Sequence, residues 1–187
     1  LERCDFIMKF RYYGKKSQDR IYKLTDFYTL FYLKYIEPNK DSFDETWWQH
    51  HATSHSVEAW QGLTFELLCL MHIPQIRQAL GIGGVATEVS AWFDKADRQK
   101  ATRGSQIDLI IERADRIIHL CEMKFSQGKY RITTEYEKKL RDRMELFREK
   151  NRCKKSLVHT FVTTYGVADG LHSSIVHSEV LLDDMFN

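Results

Sequence analysis

The sequence has little net charge, few cysteines and no long apolar run, and each shortage excludes a class of protein. A formal net charge of +2 means that a polyanion would be bound by a local basic patch and not by the field of the whole molecule. The four cysteines lie far apart and form no zinc or disulfide spacing. No stretch reaches the ~18 apolar residues of a membrane span, and no signal peptide is visible. We therefore expect a cytoplasmic protein with reduced thiols and no membrane partner.

What remains is the composition of an ordinary folded domain. The chain has 187 residues, of which 43% are hydrophobic and 29% are charged, enough for one α/β domain with a small appendage. It contains no internal repeat and no low-complexity segment. Its first residue is Leu1 and not Met, and structured sequence begins at once, so we expect a piece of a longer protein.

The first third of the chain is predicted to hold a hairpin, a short helix and a connector. Two alternating segments separated by a polar turn indicate strands at 5–13 and 20–24. Thr25 or Asp26 would cap the helix that follows, over 25–37. The predicted units are a hairpin-plus-helix at 1–37, a connector with some helix at 38–56, and a main domain at 57–187.

The main domain is predicted to alternate helices and strands. A strong helix covers 57–80, and Pro74 would kink it or split it in two. The order helix, three strands, helix, strand, with a last strand after it, predicts an α/β sandwich around a mixed sheet, with a hairpin between the second and third strands. The remaining elements are strands at 85–93, 105–112, 117–125, 157–166 and 175–183, a polar loop at 94–105 and a long helix at 133–150.

Four charged residues stand out because each interrupts an apolar surface. Glu66 lies on an apolar face of the first helix, and Asp108 lies inside the second of these strands. Glu122 and Lys124 share one face of the third, because strand residues two apart point the same way. Carboxylates that converge in a partly buried place repel one another unless a cation joins them. Oxygen ligands without Cys or His favour Mg²⁺ or Mn²⁺.

Each of these signals has a simpler interpretation when taken alone. A glutamate on an apolar helix face is most often a boundary residue, a strand aspartate often lies at a turn or an edge, and Glu-x-Lys on a strand often faces solvent. The combination is more informative, because the helix glutamate is followed by the strand aspartate and then, on the adjacent strand, by Glu-x-Lys.

The geometry of the hairpin decides whether the charged residues meet. A two-residue turn at Ala114 and Asp115 would place Asp108 opposite Cys121 and turn Glu122 away. A three-residue loop centred on Asp115, or a β-bulge, would instead place Asp108 opposite Glu122 on one face. The functional hypothesis requires the second arrangement.

Asp108, then Glu122-Met123-Lys124, preceded by Glu66 in a helix, resembles the motif of the PD-(D/E)XK phosphodiesterase superfamily over roughly residues 57–183. Ile107 stands where the motif usually has Pro. The resemblance implies a restriction-endonuclease-like fold, with a mixed central sheet flanked by helices.

Several longer segments are more closely similar to the C-terminal region of a group of prokaryotic AAA-type ATPases. There, an ATPase module is followed by a winged-helix region and a nuclease-like domain, so the resemblance implies that 1–37 is a winged-helix remnant. It also implies an ATPase domain in the same full-length chain as a partner. No Gly-x-x-x-x-Gly-Lys-Ser/Thr occurs in this sequence. The similar segments are YKLTD (22–26), GLTFELLCL (62–70), GSQIDLII (104–111), EMKFS (122–126) and TTYG (163–166).

The superfamily resemblance implies metal-dependent hydrolysis of phosphodiester bonds in nucleic acid, with DNA as the expected substrate. Asp108, Glu122 and the main-chain carbonyl of Met123 would hold Mg²⁺ or Mn²⁺, and Glu66 would bind the ion directly or through water. Lys124 would orient or deprotonate the attacking water near the scissile phosphate.

A basic stretch indicates where nucleic acid would bind. Between residues 124 and 155 there are 12 lysines and arginines against 5 acidic residues. Lys129, Arg131, Lys138 and Lys139 are the candidate phosphate contacts. The alternative is that the helix in this stretch is a solvated face of mixed charge. For Tyr136, in the first turn of that helix, plain packing is favoured over a position in the site.

Three functions remain open. The first is a nuclease domain allied to an ATPase. The second is a catalytically inactive nuclease fold that binds DNA or the ATPase. The third is a structural domain whose aromatic N-terminal segment packs on partner domains. The presence of all four charged residues favours the first.

Overall fold

The N-terminal hairpin precedes the main sheet in the chain and forms a two-stranded sheet of its own. The computed structural model describes residues 2–4, 6–15, 20–41, 44–94 and 104–186. Strands β1 (Ile7–Arg11) and β2 (Arg20–Leu24) pair antiparallel, as predicted. Parts of the predicted turn at 14–19 and of the connector, and most of the loop at 94–105, lie outside the described residues.

The main sheet has five strands of mixed direction. Its strands lie in chain order, and the first three are antiparallel while the last two join in parallel. The predicted mixed sheet and its hairpin between the second and third strands are confirmed. The strands are β3 (Thr87–Asp94), β4 (Ser105–Arg113), β5 (Ile117–Lys124), β6 (Ser156–Thr163) and β7 (Val176–Leu181).

The described residues form five α-helices, and a side-chain cap marks the start of three of them. Asp26 caps the first, accepting a hydrogen bond from the Thr29 backbone N–H, and that helix continues into a π-helical turn. The predicted long helix is split in two. Its helical conformation is interrupted at His72, and Pro74 falls in the first turn of the next helix. The helices are α1 (Phe27–Phe31), α2 (Trp47–His51), α3 (His55–Met71), α4 (Ile73–Ala79) and α5 (Thr134–Lys150).

Helices α3 and α5 cover opposite faces of the sheet. Because strand side chains alternate, Cys121 and Met123 of β5 pack in the α3 layer, while Ile118 and Leu120 pack with Phe147 of α5. Glu122 continues the second set, so it lies beneath α5. Among the described residues, no helix is both long and apolar enough to cross a membrane.

The N-terminal hairpin is held against β3. The Tyr13 backbone N–H donates to the Ala91 carbonyl at 2.7 Å, and Tyr12 forms an isolated bridge with Ala91. Phe10 is buried in the same core as α3 and the main sheet. The hairpin therefore adds side chains to the region in which β4 and β5 carry their charged residues.

Candidate functional site

The loop between β4 and β5 sets the register of the site. It has three residues, from Ala114 to Arg116, and Arg116 takes a positive φ of 72°. Leu109 pairs with Cys121 at the end of this ladder, and the same register extended by one residue aligns Asp108 with Glu122. The three-residue alternative is therefore the one the chain adopts, and the two carboxylates lie on neighbouring strands at the same level.

A β-bulge changes the direction of Asp108. The register between β3 and β4 shifts between Ser90 and Trp92, which pair with Ile110 and Ile107. Two β4 residues, Asp108 and the one after it, therefore face a single β3 residue. A bulge of this kind bends the strand and redirects a side chain. Asp108 thus stands at the border of the two sheet faces and can interact with groups from both layers.

Asp108 is partly exposed and engaged by two neighbours. Gln106 donates a hydrogen bond from Nε2 to its Oδ1 at 2.5 Å, and Lys23 Nζ lies 3.8 Å from the same oxygen. Lys23 belongs to β2, so the N-terminal hairpin supplies a cation to this site.

Glu122 is buried and both of its carboxylate oxygens are engaged. Its side chain is only 6% exposed. Arg143 of α5 forms an ion pair with Oε1, and the Tyr136 hydroxyl donates to Oε2 at 2.6 Å. Burial and the Glu122 charge raise the pKa of Tyr136 well above its usual range, so its hydroxyl remains a donor. These contacts offset the desolvation of a carboxylate in the sheet.

Lys124 lies next to the same carboxylate but stays more accessible. Its Nζ is 3.9 Å from Glu122 Oε2 and 5.2 Å from the centroid of the Tyr136 ring. A cation over an aromatic face is held by the ring quadrupole. The ammonium is therefore positioned at the opening of the site and not within the core. One strand face can carry both charges because only Glu122 is buried.

Glu66 approaches from the α3 side. Its pKa is raised to about 7, first by burial and then by the negative charge of Asp108, while Lys124 and Lys23 partly oppose the shift. Glu66 lines a cavity on the α3 side together with Lys23, the lysine that also pairs with Asp108. Among the described residues, no hydrogen bond or ion pair joins Glu66 to Asp108, Glu122 or Lys124, so Lys23 is the side chain that connects it to the strand carboxylates.

An open groove of about 800 Å³ runs along Asp108, Glu122 and Lys124 beneath α5, and its described lining does not include Glu66. Lys138 and Lys139 are exposed and lie along it, as predicted for phosphate contacts, although nucleic-acid binding by them remains a prediction. Lys129 and Arg131 are exposed in the segment before α5, and the described lining of the groove does not include them. The lining residues are Gly104, Ser105, Gln106, Asp108, Glu122, Lys124, Glu135, Lys138, Lys139, Asp142, Arg143 and Leu146.

Two features of α5 correct the interpretation of its sequence. The prediction that Tyr136 only packs was wrong, because its hydroxyl binds Glu122. Arg143 is not a solvated residue of a mixed-charge face but the ion-pair partner of the same carboxylate. Helical spacing places Tyr136, Leu140, Arg143 and Phe147 on one inward stripe. An arginine interrupting that stripe was the signal that would have identified it, by the argument used for Glu66.

The donor chemistry of the cluster fits a hard divalent cation, but the carboxylates do not form a finished cage. Asp108 and Glu122 line one groove, and Glu66, whose pKa is raised first by burial and then by the charge of Asp108, lies on the α3 side. Among the described residues, however, no three His, Cys, Asp or Glu side chains are grouped closely enough to hold a metal ion. Protein cations occupy part of that role, since Lys23 pairs with Asp108 and Arg143 with Glu122.

Comparison with known proteins gives a structural similarity over part of the chain. No protein-family model and no curated protein matches this chain. The crystal structure of AF1548, a protein of unknown function, is similar over 58% of this chain and 54% of its own. The two share 14% sequence identity, with a TM-score of 0.39. The chain thus matches about half the length of that protein, and no functional inference is drawn from the similarity.

Proposed function

We propose that this domain binds nucleic acid, with DNA as the expected form, and hydrolyses its phosphodiester bonds with a divalent cation. The observation that carries the proposal is the convergence of Asp108, Glu122 and Lys124 on one groove whose border holds Lys138 and Lys139. Carboxylates for a cation, an ammonium beside them and exposed cations for a polyanion are the groups that such a reaction uses.

The roles of the residues follow from their positions. Asp108, Glu122 and the Met123 carbonyl would hold Mg²⁺ or Mn²⁺, with Glu66 as a direct or water-mediated ligand from the α3 side. A bound divalent cation makes water more acidic and balances negative charge on phosphate oxygens. Lys124, at the opening of the site, would orient the attacking water and contact the scissile phosphate. Lys138 and Lys139 would hold the backbone without reading its sequence.

Two further parts of the proposal concern the cellular location and a partner domain. A reducing, cytoplasmic location agrees with the free thiols of all four cysteines. An ATPase domain in the same full-length chain is proposed from the resemblance of the segments quoted above.

A second function is favoured by one observation and deserves a direct test. Lys23 and Arg143 already form ion pairs with the carboxylates of Asp108 and Glu122. An inactive nuclease fold that binds nucleic acid through the lysines beside the groove would have this arrangement. It would retain DNA without cleaving it, and metal ions would not change its affinity.

The deciding experiment incubates the protein with labelled linear, circular and single-stranded DNA, and with RNA, in Mg²⁺ or Mn²⁺. Asp108→Ala and Lys124→Ala should each abolish cleavage. Asp169→Ala and Lys40→Ala remove matching charges at exposed positions outside the groove and should cleave as the parent does. Metal-independent retention without cleavage would favour the binding module, and cleavage that survives both site variants would exclude the proposed residues.

A further inference from the structure

Both carboxylate oxygens of Glu122 are engaged by protein groups. Arg143 binds Oε1, Tyr136 donates to Oε2, and Lys124 lies 3.9 Å from Oε2. A divalent cation on this carboxylate would lie beside the Arg143 guanidinium, and the repulsion between the two positive charges disfavours holding both at once. Tyr136 is a neutral donor on one oxygen, whereas Arg143 is a full positive charge on the other. Arg143 is the group whose presence opposes a cation most directly.

Arg143 can be reached from the groove. Its side chain is 14% exposed, and it lines the same open space as Lys138 and Lys139. A guanidinium binds phosphate as well as carboxylate, since its planar fork matches both. A phosphodiester backbone lying along α5 would thus offer Arg143 an alternative partner only one side-chain length from Glu122.

We propose that Arg143 is a positioning residue that occupies Glu122 until a phosphate in the groove takes over its guanidinium, which frees Glu122 for the divalent cation. This inference rests on the proposed function, because it assumes that the groove receives nucleic acid. It differs from the proposed function in what it claims. It concerns the order in which nucleic acid and the cation bind, and it assigns that order to the ion pair of Arg143 and Glu122.

The consequence is a positive coupling between two ligands. If nucleic acid removes the guanidinium from Glu122, it raises the affinity of the protein for the cation. By linkage, the cation raises the affinity for nucleic acid by the same factor. A free protein would bind the cation weakly, which agrees with the absence of a ready-made metal cluster among the described residues. A cation would then be recruited only when a substrate is in place.

The test measures binding of Mn²⁺ by electron paramagnetic resonance, with and without a short phosphorothioate oligonucleotide, after subtraction of the Mn²⁺ bound by the oligonucleotide alone. In the parent protein, the oligonucleotide should lower the Mn²⁺ Kd by about fivefold or more. Arg143→Met should bind Mn²⁺ nearly as tightly without the oligonucleotide as the parent does with it, so that most of the coupling is lost. Equal Kd values for the parent in both conditions would overturn the inference, and so would undiminished coupling in Arg143→Met.

Charge alone is controlled by Arg141→Met, which removes an exposed cation of the same helix that pairs with Glu137 and does not line the groove. It should change the Mn²⁺ Kd of the free protein by less than about twofold, because an exposed charge is screened. Should Arg143→Met fail to fold, judged by circular dichroism, Arg143→Lys carries the test. Lysine keeps the positive charge but lacks the planar fork of arginine. Without the oligonucleotide, Arg143→Lys should therefore bind Mn²⁺ with a Kd between the values for the parent without and with the oligonucleotide. A coupling identical to the parent's would overturn the inference.

The outcome is distinguishable from that of the proposed function. Coupling without cleavage of an unmodified oligonucleotide would support the Arg143 inference and count against hydrolysis. Cleavage without coupling would support hydrolysis and remove the Arg143 inference.

Discussion

Leu109 and Cys121 lie opposite each other because three residues, and not two, join their strands, and the same register extended by one residue aligns Asp108 with Glu122. A loop shorter by one residue would shift the pairing and turn one of the two carboxylates to the other face of the sheet. The third loop residue, Arg116, therefore takes the left-handed conformation that a loop of this length requires.

The loop gives the first prediction. Arg116 has a φ of 72°, a conformation that glycine adopts without steric cost. We expect Arg116→Gly to raise the free energy of unfolding by about 0.5–1 kcal/mol, as measured by urea denaturation. Ala114→Gly, at an exposed loop position without a positive φ, should have the opposite effect. A lower stability for Arg116→Gly would mean that the arginine side chain contributes more than the backbone strain costs.

The second prediction concerns the buried ion pair. Arg143→Met leaves Glu122 buried with a single protein donor at hydrogen-bond distance, and removing one partner of such a pair costs about 3–5 kcal/mol. Urea unfolding at neutral pH measures this loss. The double variant Glu122→Gln with Arg143→Met should recover most of it, because no buried charge remains.

Arg141→Met is the matched control for that prediction. Arg141 lies on the same helix and pairs with Glu137, but its side chain is 61% exposed. Exposed pairs of this spacing contribute about 0.3–0.5 kcal/mol. Equal losses for Arg141→Met and Arg143→Met would contradict the special position of Arg143.

The third prediction follows from the pKa of Glu66, which is raised to about 7 from an ordinary 4.5. Between these two values the folded chain binds more protons than the unfolded chain, so ionisation of Glu66 lowers stability as pH rises. We expect Glu66→Gln to be more stable than the parent above pH 7, with the difference shrinking towards pH 5. Denaturation in EDTA at several pH values measures it.

The control for Glu66 lies on the same helix. Glu58 is exposed in the first turn of α3, so Glu58→Gln should leave the pH dependence between 5 and 8 unchanged. A parallel pH profile for Glu66→Gln and the parent would show that Glu66 is not in the charged cluster.

The fourth prediction concerns His159 on β6. Neither of its ring nitrogens has a hydrogen-bond partner among the described residues, and burial followed by the charges of Arg143 and Arg141 lowers its pKa to about 4. Below the ordinary value of 6.5 the unfolded chain binds a proton that the folded chain does not, so stability falls as pH drops from about 6.5 towards 4. His159→Leu should flatten this slope in urea titrations. His50→Gln, at an exposed position, should not, and an unchanged slope for His159→Leu would contradict the assignment.

The order of the elements and the pairing of the charged strands could be predicted from the sequence because they depend on local patterns. Alternation defines the strands, Pro74 separates α3 from α4, and the loop around Asp115 has only two plausible lengths. Each of these signals lies within a few residues of the feature it determines.

The partners of the charged residues could not be predicted in the same way, because tertiary packing chooses them. Lys23 reaches Asp108 from a hairpin 85 positions earlier in the chain. Arg143 lies among exposed lysines and glutamates, and only its place on the inward stripe distinguishes it from them. The bulge at Asp108 depends on how β3 and β4 fit together and has no signature in either strand alone.

The contact of Tyr12 and Tyr13 with Ala91 has a consequence for solubility. β3 is an outermost strand of the sheet, and such a strand offers unpaired peptide groups on which another molecule can add a strand. The hairpin covers part of that border and removes Phe10 from water. A shortened protein that starts at residue 57 would lack the hairpin and expose the border of β3. We expect it to self-associate through β3, as measured by light scattering, whereas the chain with its hairpin should stay monodisperse.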